Sequence, residues 1–598
     1  MIHRASSARA AGSPRFTGTA VALFAVLLVA ACGAPAPPTT TPAPDPSVTG
    51  VSPSIAQPGD EVTIQGTGFS DDQVITFDGI AVTVLDRTAS GALVRVPETY
   101  GYPTIRVADA EAERLLFVGV DYDGPPTLAD VQGALDAIAE GVALRLGADT
   151  YTGTLLVVDN RSLFGAGSAT VLDASNTVRV VAHGGTTSVV ADLAIEADLV
   201  VLGRGRLSTA SVASSAGAGA IVIDDVSIDA SGISMAEGAY LDVTLRGVTA
   251  NLDGLSLFGP GSSVTVVGSD LSADAMVLAT LTTLTIDAST LTSRTGSTTL
   301  QATGAASIDA STISSAGSVV VQGGGITITE TPLTTSGTLV LQSEAGLVTI
   351  AASTISSTNS FVVQGAAGIT VTGTPFTSAA SMSLQSAAGD LVVSGSDLSA
   401  TALSVSTTHG SITLREVDAS TLTSGLIIQG QGPVRVADTT LTSAADMFLT
   451  SSAAGELVVE GATVTGATSV TMRGSATPFA GANGTVRLER NASISAGSSL
   501  LINGGASDVV VTDNGPIVAD VVFILSEAAH VTLRANERIE SGGNVIVQAT
   551  GAGGRLGAVD NRFVADDGAG TILLETPAGE LTQSGNVFEG TTSFPNNE

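Results

Sequence analysis

The sequence predicts an all-β chain, in which a small sandwich of short strands precedes a long single-stranded parallel solenoid with coils of about 21 residues. The leading observation is a repeated motif, an aliphatic residue followed by glutamine. Its glutamines are Gln301, Gln322, Gln342, Gln364, Gln385 and Gln429. They lie 21, 20, 22, 21 and 44 residues apart, and the last interval is two periods with Ser406 in the skipped place. A constant period indicates one supersecondary unit stacked on copies of itself.

A second polar column marks the strands of each coil. Two aliphatic residues in alternation precede each member, as Leu284 and Ile286 precede Ser289, and such period-two alternation indicates a β-strand. The column comprises Ser289, Ser311, Thr331, Ser353, Thr374, Ser396 and Thr439, and then Asn491, Asn514, Asn536, Asn561 and Asn586. Amide side chains can pair from coil to coil, and asparagine tolerates the left-handed conformation of a sharp bend. We interpret the glutamine and asparagine columns as structural ladders, with a binding role as the alternative.

Composition and charge limit the partners. The formal net charge is −33, so the chain would repel phosphate backbones, and we expect no nucleic-acid partner. The charge predicts a soluble, exposed protein, with weak cation binding as the alternative. Aromatic residues make up 3% of the chain and tryptophan is absent, which argues against a cleft that stacks sugars. Small and β-branched residues favour pleated structure over helix.

Residues 1–31 have the pattern of an export signal. Arg4, Arg9 and Arg15 precede an apolar run that is too short to span a bilayer comfortably. The run ends in an aliphatic residue, two alanines and Cys32, the only cysteine, which resembles the bacterial lipoprotein box. The resemblance implies lipidation of Cys32 and anchoring in the membrane of the cell envelope, at the outer surface, with an ordinary secretory signal as the alternative. Residues 32–47 are rich in proline and threonine and predict an extended tether.

Residues 48–120 predict a small β domain. Strand-like runs alternate with turn signals such as Asp78 followed by Gly79, and at least five short strands in such a segment indicate a sandwich. The segment resembles the IPT/TIG family of immunoglobulin-like domains in Pro53, Pro58, Gly59, Val62, Ile64, Gly66, Gly68, Phe69, Val74, Phe77, Gly79, Val96 and Pro97. The resemblance implies a spacer or binding module without catalysis.

Residues 121–148 predict a linker and a cap. Thr127 can begin a helix that carries Val131 and Leu135, and a solenoid needs such a cover over its first coil. The pattern of this helix, the next strand and the segment Thr150 to Gly153 resembles the first coil of the right-handed parallel β-helices of the pectate-lyase-like superfamily. Gly147 to Asp149 depart from that pattern. The remaining predicted boundaries are residues 149–590 for the β-helix and residues 591–598 for a polar tail.

No group of side chains predicts catalysis or metal binding, and we expect no cofactor. A lyase needs clustered carboxylates with a base, and a hydrolase needs two carboxylates facing across a sugar. Asp224 and Asp225 are the best pair, but neighbouring strand residues point to opposite faces, so both could face one sugar only at a bulge. Other candidates are solvated charges or separate histidines, namely Asp229, Arg415, Glu416, Asp418, Arg487, Glu489, Arg490, His183, His409 and His530.

These features predict a protein that is not an enzyme, namely a cell-surface lipoprotein that presents a β-helix rod. Its role would be structural or adhesive, with extracellular polysaccharide, envelope components or other surface proteins as partners. The alternative is a carbohydrate-active β-helix enzyme, either a polysaccharide lyase or a glycoside hydrolase. An enzyme would interrupt the ladders with clustered charged side chains, and the uniform column from Gln301 to Gln429 favours the rod.

Overall fold

A computed structural model describes residues 46–112, 115–167, 169–182, 187–196, 198–203, 219–235, 241–259, 263–452, 455–474, 484–566, 570–577 and 579–595. The predicted export signal, Cys32, most of the predicted tether and His183 lie outside the described residues, as do residues 596–598 of the polar tail. In the described ranges the chain is almost entirely β-strand, with one α-helix at Leu128–Ala137. No helix in these ranges has the length and apolar character needed to cross a membrane. The predicted all-β fold class is confirmed.

The N-terminal domain is a sandwich of two antiparallel sheets. One sheet has the spatial order Ser47–Ser52, Glu61–Thr67, Gly91–Arg95 and Thr83–Thr88, the other has Ile80–Ala81, Ile75–Phe77, Ile105–Val107 and Ala110–Ala112, and Phe117–Val118 pairs with Ile55–Ala56. Alternating residues such as Val62 and Ile64 point inward and are fully buried with Phe77. Gly66 is required because a Cβ there would lie 1.8 Å from the carbonyl oxygen of Ser47.

All later strands of the described ranges belong to one parallel sheet of 54 strands, which winds into a solenoid. Each coil contributes one segment to each of three faces, and several strands serve two faces, so the strands form about 20 coils. We call its faces sheet 1, sheet 2 and sheet 3, in the order in which each coil visits them. Identical positions stack from coil to coil, as Val321 and Gln322 pair with Leu341 and Gln342.

The strand bounds follow the three sheets, and seven strands continue around a corner. Sheet 1 comprises Val120–Asp121, Ala143–Arg145, Ser162–Phe164, Thr187–Ala191, Gly219–Asp224, Leu241–Arg246, Val264–Val267, Leu284–Asp287, Ala305–Asp309, Gly325–Thr329, Leu347–Ala351, Gly368–Thr372, Leu391–Ala400, Ile412–Thr421, Val434–Ala437, Leu457–Glu460, Val486–Glu489, Val509–Thr512, Val531–Arg534, Arg555–Val559 and Glu580–Ser584, of which Leu391–Ala400 and Ile412–Thr421 run on into sheet 2. Sheet 2 further comprises Thr150–Asp159, Val171–Ala182, Ala194–Ile195, Ser227–Met235, Thr249–Gly259, Asp270–Thr280, Thr290–Ser293, Thr312–Ser315, Pro332–Thr335, Thr354–Ser357, Phe376–Ser378, Thr440–Ser443, Thr463–Gly466, Ser493–Ala496, Pro516–Ala519, Arg538–Ser541, Arg562–Ala565 and Val587–Glu589. Among these, Thr150–Asp159, Val171–Ala182, Ser227–Met235, Thr249–Gly259 and Asp270–Thr280 run on into sheet 3, which continues as Asp198–Gly203, Thr298–Ala302, Val319–Gly323, Leu339–Ser343, Phe361–Gly365, Ser381–Ser386, Ala402–Thr407, Leu426–Gly430, Met447–Ser451, Ser469–Arg473, Ser499–Asn503, Val521–Ser526, Val545–Ala549, Thr571–Glu575 and Thr591–Ser593.

The corner between sheets 1 and 2 is turned by a residue in the left-handed conformation. In successive coils this residue is Ala288 (φ 46°), Ala310 (φ 45°) and Glu330 (φ 48°). The expectation that the ladder asparagines themselves adopt this conformation is wrong. The left-handed residue is the one before each asparagine, for example Asp513 (φ 56°) before Asn514, because the corner residue points outward and its successor must point inward to reach buried backbone groups.

The helix Leu128–Ala137 covers the first coil. The Thr127 side chain accepts a hydrogen bond from the backbone N–H of Asp130 at 3.2 Å, which caps the helix N-terminus. Leu128, Val131 and Leu135 are buried against the aliphatic core of the solenoid. Gly153 admits this close packing, since a Cβ there would lie 2.8 Å from Cβ of Leu128.

Aromatic rings fasten the sandwich to the first coils of the solenoid. The rings of Tyr102, Phe117 and Phe164 pack edge to face, with centroids 5.3 to 5.7 Å apart. The Arg145 guanidinium lies 5.5 Å from the Phe117 ring centroid and donates to Asp121 at 3.0 Å. A Cβ at Gly101 (φ 86°) would lie 2.6 Å from the Phe164 ring. The two domains therefore share a small hydrophobic core of their own.

Candidate functional site

The serine, threonine and asparagine column is an internal ladder. Each hydroxyl accepts a hydrogen bond from the backbone N–H of the preceding coil, as Ser311 accepts from Ser289 at 3.1 Å, and donates within its own corner, as Ser311 donates to the Asp309 carbonyl at 2.6 Å. From Asn491 to Asn586 the amides also bond to one another, at 2.8, 2.8, 2.8 and 3.1 Å. Asn491, Asn514, Asn536 and Asn561 are each 2% exposed. These side chains join coils and do not face a ligand.

The glutamine column lies on the outer face of sheet 3. Gln301, Gln322, Gln342, Gln364, Gln385, Ser406 and Gln429 are direct register partners in this order. Gln322 donates to Gln342 and Gln364 donates to Gln385, both at 3.2 Å. Unlike the asparagines, these amides are half-buried or exposed. The glutamine side chains therefore bond to one another between coils and are also accessible to solvent.

Part of this column forms a surface depression, which we call the glutamine recess. It measures about 630 Å³ and spans four coils. Its lining includes Gln342, Gln364, Gln385, Ser406 and Thr408, and Glu344 is the only charged residue in that lining. The recess is thus a row of neutral hydrogen-bond donors and acceptors.

Beside the glutamines, two residues earlier in the strand, lies an apolar column that is interrupted by two serines. It comprises Val320, Val340, Val362, Ile427 and Phe448, with Ser383 and Ser404 as the interruptions. Ile427 and Phe448 are register partners in it and are 39% and 40% exposed. With Gln429, Thr450, Thr471 and Arg473 they line a smaller recess of about 210 Å³. The sequence analysis missed this column, although period-two alternation from the buried Ile428 places Ile427 on the outer face.

The charged groupings singled out in the sequence are surface ion pairs. Arg415 and Glu416 are 3.2 Å apart, and both are mostly exposed. Arg487 bonds to Glu489 at 2.9 Å and to Glu456 at 3.1 Å, and these two hydrogen bonds raise the pKa of Arg487. No group of three or more acidic, histidine or cysteine residues that could hold a metal occurs in the described ranges.

The described histidines contact backbone. His409 Nδ1 lies 3.0 Å from the Ala387 carbonyl oxygen, and His530 Nδ1 accepts from the backbone N–H of Arg555 at 3.1 Å. Each links its coil to a neighbouring coil, and they lie in separate coils.

A second concave surface lies where the sandwich meets the solenoid, and we call it the junction cleft. It measures about 540 Å³. Its lining comprises Asp78, Tyr100, Tyr102, Thr104, Phe164, Val189, Asp192, Val222, Asp224, Asp225 and Arg246. It therefore combines four carboxylates, one guanidinium and aromatic rings from both domains.

The expectation that Asp224 and Asp225 point to opposite faces is wrong. Asp225 has φ 50° and is the left-handed corner residue of its coil, so the alternation of a strand ends at Asp224. Both residues line the junction cleft. Asp224 bonds to Arg246 through both oxygens, at 3.0 and 2.9 Å. The side chain of Asp229 lies outside the described part of the structure.

Comparison with known proteins identifies one domain family. Residues 46–107 match the IPT/TIG domain family, so the N-terminal sandwich is an IPT/TIG domain. No curated protein matches the chain. Solved structures that align with it include two glucanase units. One is the catalytic unit of a thermostable GH87 alpha-1,3-glucanase from Streptomyces thermodiastaticus strain HF3-3 (13% identity, 90% of this chain and 88% of that chain, TM-score 0.18). The other is the catalytic domain of a GH87 alpha-1,3-glucanase in complex with nigerose (8% identity, 88% and 91%, TM-score 0.18).

These two structures overturn the expectation that the chain is not an enzyme, because both are catalytic units. At a TM-score of 0.18 neither glucanase activity nor its substrate is carried over to this chain.

Proposed function

We propose that the protein is an envelope lipoprotein, anchored through Cys32, whose β-helix rod binds extracellular polysaccharide through the outer face of sheet 3. The observation that carries this proposal is the glutamine recess, in which three stacked amides and two hydroxyls face solvent over four coils. An amide offers two donors and one acceptor oxygen, so it can both donate hydrogen bonds to sugar hydroxyls and accept hydrogen bonds from them. The IPT/TIG domain would hold the rod away from the membrane.

The chemistry of the recess favours a neutral polymer. Its lining has a single charge, that of Glu344, while the whole chain carries −33, so an anionic polysaccharide would be repelled. Adjacent coils repeat the same groups about every 4.8 Å. A long polymer could engage several coils together, and many weak contacts would add to a firm attachment.

The neighbouring apolar column supports the same proposal. Phe448 offers an accessible ring beside Gln429 and Thr450. Aromatic rings pack against the C–H faces of sugars while nearby polar groups orient the hydroxyls. Sheet 3 thus presents both kinds of group that a carbohydrate-binding surface needs.

Co-sedimentation with insoluble neutral polysaccharides tests the proposal. The double variant Gln364→Ala with Gln385→Ala should bind at least about tenfold more weakly, which corresponds to about 1.4 kcal/mol. The matched control is Thr354→Ala with Thr377→Ala, which removes two outward hydroxyls from sheet 2 of the same coils. Equal binding by both double variants, or binding only to another surface protein, would contradict the proposal.

Glycoside hydrolysis is a second candidate, favoured by Asp224 and Asp225 in one cleft. Hydrolases of this kind use two carboxylates that flank the scissile bond. Release of reducing sugar from polysaccharides by the purified protein, lost in Asp225→Asn, would support it. Turnover that persists in Asp225→Asn would place the chemistry elsewhere.

A further inference from the structure

The junction cleft has the size and the position of a small-molecule site. Its volume of about 540 Å³ lies within the range of about 300–1,000 Å³ that is usual for ligand pockets, which often form between domains. One wall is the segment from Tyr100 to Thr104 of the IPT/TIG domain. The opposite wall is built by three successive coils, which contribute Asp192, Asp225 and Arg246.

The walls are held in place by contacts among the residues that form them. Asp78 accepts a hydrogen bond from the backbone N–H of Thr104 at 2.8 Å and from the Thr99 hydroxyl at 3.2 Å. These bonds fix the segment that carries the two tyrosines. Tyr102 and Phe164 also belong to the aromatic cluster that joins the domains. The cleft is therefore formed before any ligand arrives, which lowers the cost of binding.

The lining presents complementary groups to a sugar. Tyr100 lies half-buried at the meeting of the two cores, so its ring can pack against an apolar sugar face. Its hydroxyl is protonated at neutral pH like that of any tyrosine, and burial, and then the charge of Glu98, raise the pKa of Tyr100 further. The carboxylate of Asp225 is an acceptor at the rim, and the Arg246 guanidinium is a donor already oriented by Asp224.

We propose that the junction cleft binds a short neutral oligosaccharide, with its ring against Tyr100 and its hydroxyls on Asp225 and Arg246. The surplus of carboxylates excludes anionic sugars. This site extends the proposed polysaccharide binding and does not depend on the glutamine recess. It requires the IPT/TIG domain, because Tyr100 belongs to that domain while Asp225 and Arg246 belong to the solenoid.

Intrinsic fluorescence gives a direct measurement. The chain has five tyrosines and no tryptophan, and two of the tyrosines line the cleft. Titration of the purified protein with neutral tetrasaccharides of glucose, mannose or galactose should produce a saturable change in tyrosine emission. Tyr100→Leu should abolish that change. Emission that responds to none of these sugars, or responds only to a cationic amine such as spermidine, would overturn the proposal.

A matched pair of corner variants tests the acceptor. Asp225→Ala should weaken saccharide binding by at least about tenfold, and it can fold because Ala288 and Ala310 occupy the same corner position in other coils. The control is Asp513→Ala, an identical change at the corner of a distant coil, which should bind as the unchanged protein does. Equal affinities would exclude Asp225 from the site. The double variant Gln364→Ala with Gln385→Ala should keep the fluorescence response, so failure of the cleft and failure of the glutamine recess can be told apart.

Discussion

Replacing one asparagine of the internal ladder should open the solenoid locally. The side chain of Asn536 is 2% exposed and makes four hydrogen bonds. Its oxygen accepts from the backbone and side chain of Asn514, at 3.3 and 2.8 Å, and its nitrogen donates to the Val511 carbonyl and to Asn561, at 2.9 and 2.8 Å. In Asn536→Ala, the four buried groups that bond to this side chain lose that hydrogen bond.

The expected magnitude follows from that count. A buried hydrogen bond contributes about 0.5–1.5 kcal/mol net, so losing all four should cost about 4 kcal/mol. The matched control is Ser353→Ala in the same column, where the hydroxyl makes two bonds, with the Thr331 N–H at 3.1 Å and the Ala351 carbonyl at 2.9 Å. Its loss should cost about 2 kcal/mol. Ala462 already occupies this column and accommodates the backbone, so alanine itself is compatible with the corner.

Hydrogen exchange measures the effect coil by coil. A solenoid opens locally, because each coil contacts only its neighbours. Amides of residues 509–565 should therefore exchange faster in Asn536→Ala while residues 298–343 are unchanged. The difference of about 2 kcal/mol between the two variants corresponds to about 30-fold in the opening equilibrium. Equal opening in Asn536→Ala and Ser353→Ala would refute the claim that amide-to-amide bonds add stability beyond the hydroxyl ladder.

Three further predictions address the anchor, the domain junction and acid stability. Cys32→Ser should release the protein into the medium, and retention on the membrane would argue against lipidation. Phe164→Ala removes one ring of the aromatic cluster, which should lower the free energy of unfolding by about 3–5 kcal/mol and make the junction susceptible to limited proteolysis. Phe164→Leu keeps an apolar side chain there and should resist cleavage. Equal cleavage of the two variants would contradict a role of this ring in holding the junction. Hydrogen bonds from the backbone and then the hydroxyl of Ser411 lower the pKa of Asp390 from 3.8. Its ionised form therefore stabilises the fold fully above pH 3.8, and this contribution is lost as pH falls through the lowered pKa. Thermal melts of Asp390→Asn should lack this acid dependence, and an unchanged profile would contradict it.

Sequence periodicity predicts the solenoid well because register is repeated. A parallel coil stacks each residue on its equivalent in the next coil, so a spacing near 21 residues between Gln322 and Gln342 becomes direct pairing. The domain junction offers no such signal. Tyr102 and Phe164 are far apart in the sequence and follow no period, yet their rings lie 5.7 Å apart. Contacts of this kind depend on the relative placement of two domains, which alternation within either domain does not encode.

Strand alternation does not predict the junction cleft, because the chain turns a corner between Asp224 and Asp225. Asp225 occupies the position that Gly247 and Gly268 hold in the next two coils, each with positive φ, and glycine before an inward-pointing residue is a signal for a left-handed bend. The alignment of these corner positions separates Asp225 from the strand that ends at Asp224. The uniform ladder from Gln301 to Gln429 therefore bears only on the middle of the rod. A catalytic or binding site can form where the solenoid contacts another domain, because that domain supplies the opposite wall of a cleft.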